Sequence, residues 1–128
     1  MIMTPFILNE TEITPRVLLD RTKGQFLIQG KSLPEDAKGF YTPIIEWFDE
    51  YSKNPNDHTE LLLAFDYFNT ASSKMILIVL AIMRSIKMSG WHIEIVWKYP
   101  QYDVELEEAG EEFAELLGLP FQFIPVVS

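Results

Sequence analysis

With 128 residues, of which 48% are hydrophobic and 23% charged, the chain is expected to form a single globular domain, and wholesale disorder is excluded. Ten Lys and Arg stand against nineteen Asp and Glu, a formal net charge of −9, so nucleic acid is not expected as a partner: a phosphate backbone needs a basic face. The absence of cysteine excludes a disulfide framework, Cys-ligated zinc and a thiol nucleophile.

The opening stretch MIMTPFILNETEITPR has no basic segment leading into a sustained apolar one, and acidic residues follow early, so a signal peptide is not expected. Residues 1–13 read as an N-terminal extension that can add to a sheet. Arg16 to Leu19 and Gln25 to Gln29 are short β-favouring runs around Gly24 and predict a hairpin. Turn chemistry at Ser32 and Pro34 follows. Phe40, Ile44, Ile45, Trp47, Phe48 and Tyr51 then recur at near-helical spacing, predicting a helix that begins near Pro43 or a few residues earlier and stops at Asn54-Pro55.

TELLLAFDYF predicts a buried strand from about Glu60 to Phe68. A helix follows from about Ser72 to Met88, closed by Ser89 and Gly90. Its apolar run, Met75 to Met83, is nine residues against the ~20 of a membrane span, so a cytoplasmic protein with no membrane partner is expected. Trp91 to Lys98 alternates as a strand. YDVELEEAGEEFAELLG is an acidic helix ended by Gly118, and PFQFIPVV a last strand weakened after Ile124 by Pro125. The order ββαβαβαβ gives an α/β domain with a mixed sheet of about five strands and about three helices.

The polar cluster Asn69, Thr70, Ala71, Ser72, Ser73 sits between a strand and a helix. Four roles suit it: helix cap, nucleophile, phosphate cradle or phosphorylation site. A nucleophile needs an oriented base, and the two histidines, His58 in the loop NPNDHTE and His92 near a strand start, carry no partner motif. NTASSK lacks the glycines of a phosphate-binding loop. The glutamates of the acidic helix spread over successive turns, as a solvated face does, and no metal or cofactor site is expected. A cap accounts for one polar residue. A phosphate on a hydroxyl here would meet free amides, with Lys74 four residues beyond Thr70 as counter-charge. Cap and phosphosite both remain open on these residues.

TPRVLLDRTKGQFLIQGKSLPED, YTPIIEWFDEY, DYFNTASSK, WKY and ELEEAGEEFAELLGLPF together resemble the SiaC family of bacterial regulatory phosphoproteins over nearly the whole chain. The most specific pieces are the turn Gly30 to Glu35 and the junction Tyr67 to Ser73. Asp36 stands where Asn would be expected, and Ala71 where Ser is frequent; neither change removes Thr70. The resemblance implies a fold related to STAS domains, the anti-sigma factor antagonists. It also implies a non-enzymatic signalling protein, phosphorylated at Thr70, with Ser72 and Ser73 as lesser candidates, by a partner kinase and reset by a partner phosphatase. In the unphosphorylated state it would bind an effector such as a diguanylate cyclase. Asn69, Thr70, Ser72, Ser73, Lys74 and Leu77 are the expected partner surface, because the Met75 to Met83 helix is apolar nearly all round. The alternatives are a STAS-like ligand or scaffold module without phosphorylation, and a small hydrolase using Thr70 or Ser72.

Overall fold

A computed structural model describes residues 3–127. These residues form six strands and three helices, alternating from β3 onward: β1 (Phe6–Leu8), β2 (Arg16–Asp20), β3 (Gln25–Ser32), α1 (Ala37–Ser52), β4 (His58–Phe68), α2 (Thr70–Met88), β5 (His92–Pro100), α3 (Val104–Leu117) and β6 (Phe121–Val126). The expected five strands become six because the short β1 joins the edge, antiparallel to β2 with Ile7 opposite Leu18. Three residues carry too little alternation to be read alone. A bond from the Trp47 indole N–H to the Thr4 carbonyl, at 2.9 Å, ties the preceding chain to α1.

The sheet order follows the chain order, β1 to β6, antiparallel through β3 and parallel from β3 onward. Right-handed crossovers that always step the same way place all three helices on one face of the sheet. The inward side chains alternate accordingly: Phe26 and Ile28 on β3, Leu61, Leu63 and Phe65 on β4, and Ile93, Ile95 and Trp97 on β5 form one core with Tyr41, Ile44 and Phe48 of α1 and Ile76, Leu80 and Met83 of α2. Among the described residues no helix lies on the other face. There Leu18, Leu27, Leu62 and Val96 are successive register partners across the central strands.

Several boundaries differ from the sequence reading, each for a physical reason. α1, expected to begin near Pro43 or a few residues earlier, starts at Ala37, because the Asp36 carboxylate accepts the Gly39 N–H at 3.0 Å and caps the first turn. Pro43 is carried inside the helix, its missing donor outweighed by burial of Tyr41, Ile44, Phe48 and Tyr51. Ser32 ends a strand rather than opening a turn. His58 lies in β4 and not in the preceding loop. β5 runs on to Pro100, and β6 continues past Pro125, which an edge strand tolerates because one side of its backbone pairs with nothing. Among the described residues no helix is long and apolar enough to cross a membrane.

Candidate functional site

The β4–α2 junction is made by three local devices. Opposite Gly30 and Lys31 of β3 the register shifts, so that Asp66 is an extra residue on β4. Asp66 and Tyr67 are consequently both exposed, and Phe68 turns back to meet Trp97 edge to face and to stack on Phe113. Gly30 has φ 121°, where a side chain would be strained and would also strike the Glu10 carboxylate. Asn69 then leaves the strand with extended backbone and caps α2, its side-chain oxygen accepting the Ser72 N–H at 2.8 Å. Its own N–H donates to the Ser32 carbonyl at 3.1 Å, fastening the junction to β3.

This geometry gives the three hydroxyls different lives. Thr70 is the first residue of α2, not two residues before it, and is exposed. Ser73 is half-buried. Ser72 is fully buried and belongs to a chain of hydroxyls. Ser72 Oγ donates to the Ser32 carbonyl at 3.0 Å and accepts from Ser32 Oγ at 2.8 Å. With its proton committed to Ser72, Ser32 Oγ must accept from the Tyr41 hydroxyl, 2.7 Å away. Burial pushes the Tyr41 hydroxyl up to about 12, against a smaller lowering by its Ser32 contact. Sequence reasoning placed Ser32 in a turn and did not single out Tyr41, although Ser32 shares the inward parity of Phe26 and Ile28.

The expected partner residues divide in the same way. Thr70 and Lys74 are exposed, and Ile78, 41% exposed, continues their line one turn further along α2. Asn69 and Leu77 are half-buried at its margin, and the Ser72 side chain faces inward. A groove lined by Tyr67, Phe68, Asp103, Glu105, Leu106 and Ala109 runs beside the junction. Sequence reasoning missed this neighbour, since only the parallel topology brings the α3 start next to the end of β4.

All three helices begin at this edge of the sheet, yet they are charged differently. α1 and α3 are capped by Asp36 and Asp103, and α3 adds Glu105 and Glu107 in its first turn. α2 is capped by neutral Asn69 and has no acidic residue in its first turn. Its positive dipole end is therefore uncompensated where Thr70 stands. The candidate bases are remote: His58 opens the eleven-residue β4, so it lies roughly 30 Å from the Thr70 end at the usual rise of about 3.3 Å per residue. His92 is the register partner of His58 and shares that distance.

Known proteins resemble this chain in sequence and in fold. The model of the SiaC family of regulatory phosphoproteins matches residues 8–126. An uncharacterised protein of Pseudomonas aeruginosa (strain UCBPP-PA14) is 28% identical over 111 residues, 87% of this chain and 88% of that protein. Apo-SiaC from Pseudomonas aeruginosa superposes with a TM-score of 0.84 at 27% identity, over 95% of this chain and 99% of its own. A chain from the crystal structure of the Pseudomonas aeruginosa diguanylate cyclase SiaD in complex with its activator SiaC gives a TM-score of 0.86 at 25% identity, over 94% and 99% of the two chains.

Proposed function

The chain belongs to the SiaC family of regulatory phosphoproteins, and from that premise we propose that it is a non-enzymatic switch protein whose Thr70 is phosphorylated by a partner kinase and dephosphorylated by a partner phosphatase. Its effector is a diguanylate cyclase, by extension from the SiaC that activates SiaD. The observation that carries the reading is the exposed hydroxyl at the first position of α2, in a segment whose other strongly placed hydroxyl, Ser72, is sealed in the core. A kinase can reach the first without opening the fold. The two histidines stand at the opposite end of β4 and β5, which disfavours Thr70 as a hydrolase nucleophile.

The mechanism follows from charge. The docking surface is the line Thr70, Lys74 and Ile78, edged by Asn69, Ser73 and Leu77. Phosphorylation adds roughly 1.5 to 2 negative charges at its rim. Orphan amides of the first turn, the uncompensated dipole and Lys74 stabilise the added group within this chain. A partner that had matched the unmodified surface must then desolvate that charge or meet it with its own acidic groups, and its affinity falls with no refolding.

The test is intact-mass analysis and peptide mapping of the protein purified from its own cells. One phosphate on the peptide containing Thr70, absent from Thr70→Ala, is expected. A phosphate retained in Thr70→Ala and lost in Ser72→Ala would refute the assignment, as would turnover of an ester or nucleotide by the pure protein that depends on Thr70.

A further inference from the structure

We propose that His58, His92 and Glu94 form a binding site for a zinc-class divalent cation at the end of the sheet remote from Thr70. Parallel pairing creates it. His58 opens β4 and His92 opens β5, and the two are register partners, so both side chains leave the same face of the sheet. Glu94 lies two residues after His92 and therefore on that face as well. It is the face on which no helix of the described residues lies, and His58 and Glu94 are open there to solvent and to an arriving ion.

The side chains already converge. The imidazole rings are stacked, with centroids 4.5 Å apart and 25° between planes. His58 Nε2 is 3.6 Å from Glu94 Oε2. One ligand atom from each of the three residues lies within 4.8 Å of the other two. Zinc bonds of about 2.0 to 2.2 Å in tetrahedral array set ligand atoms roughly 3.4 Å apart. His58 and Glu94 are nearly at that spacing, and the set as a whole must close by at most about 1.4 Å, which rotations of exposed side chains supply. The backbone beneath need not move, because β4 and β5 are central strands paired on both sides.

The donor chemistry selects the ion. Two imidazoles and a carboxylate suit zinc, and also nickel and copper, whereas magnesium and calcium prefer oxygen alone. Glu60, register partner of Glu94 and on the same face, adds negative potential one row further along. The remaining coordination positions open to water. A bound ion would clamp the starts of two adjacent strands, and so reach the same sheet that carries Thr70 at its other end.

The experiment is calorimetric titration of zinc chloride into tag-free full-length protein at neutral pH, with circular dichroism to verify folding. Saturable binding of one ion per chain is expected, weakened at least about tenfold in both His92→Ala and Glu94→Gln. Glu112→Gln, on the exposed face of α3, should bind as the unchanged protein does, and magnesium should give no saturable heat. As a readout independent of heat, cobalt(II) should show the visible absorption of a low-coordinate nitrogen and oxygen site, lost in His58→Gln. Absence of saturable zinc binding overturns the proposal, and so does binding undiminished in the His58→Gln, His92→Ala double variant. If Glu112→Gln weakens zinc as much as Glu94→Gln does, the ion is held by the acidic helix and the proposal is equally wrong.

Discussion

Replacing Ser72 with alanine should damage the fold, whereas replacing Thr70, two positions earlier, should not. Ser72 is fully buried and its hydroxyl both accepts from Ser32 Oγ and donates to the Ser32 carbonyl. In Ser72→Ala the carbonyl keeps the Asn69 N–H, at 3.1 Å. The protons of Ser32 and Tyr41 then have only each other's oxygens, which lie 2.7 Å apart, and one proton is left without an acceptor. A buried donor stranded in this way costs about 1 to 3 kcal/mol. Alanine's better helix propensity returns about 0.5 kcal/mol. The net loss is about 1.5 kcal/mol, which for a domain of this size lowers Tm by about 5 to 8 °C. Urea and thermal unfolding followed by circular dichroism measure it. Thr70→Ala, at an exposed position, should stay within about 0.5 kcal/mol of the parent protein. Equal stabilities for the two variants, or a neutral Ser72→Ala, would show that the hydroxyl chain does not hold the junction and that the two side chains are not separated in role.

Two further outcomes follow from the same residues. Asn69→Ala removes the acceptor of the Ser72 N–H and should cost about 1 kcal/mol in urea unfolding, while Asn69→Asp, which keeps the cap and answers the uncompensated dipole, should be at least as stable as the parent; the reverse order would refute the capping account. The Tyr41 hydroxyl, pushed up to about 12 from an unfolded value near 10, makes a contribution that is complete below pH 10 and is lost as pH rises toward 12, roughly 2 to 3 kcal/mol in all. Tyr41→Phe should therefore lose stability less steeply than the parent between pH 10 and 12, and identical slopes would contradict the burial of that hydroxyl.

Most of the architecture was legible because periodicity changes cleanly along the chain. Tyr51 and its spacing to Ile44 and Phe48 announce α1, and the alternation around Ile93, Ile95 and Trp97 announces β5. Asn69 was recognisable as a cap from its chemistry, yet α2 was expected to begin at Ser72 because Ser and Thr are themselves good caps, and only the backbone decides among neighbours. Pro43 suggested a helix start that Asp36 supplies instead. The pairing of His58 with His92 could not be read at all. It depends on strand register, which is set by packing of the two faces and leaves no local mark in either histidine's neighbourhood. The hydroxyl chain of Ser32, Tyr41 and Ser72 was hidden for the same reason, its members being brought together from three separate elements.

The proposed switch is tested most directly by the affinity of four forms of the protein for the diguanylate cyclase proposed as its effector, measured at low and high salt: unmodified, Thr70→Ala, Thr70→Glu and stoichiometrically phosphorylated on Thr70. Unmodified protein and Thr70→Ala should bind alike, Thr70→Glu more weakly, and the phosphorylated form most weakly, because glutamate brings about one charge where phosphate brings up to about two. The difference should shrink as salt rises, since an exposed charge at the rim is screened over a Debye length of about 8 Å at physiological ionic strength. Equal affinity of all four forms, or tighter binding after phosphorylation, would contradict the account.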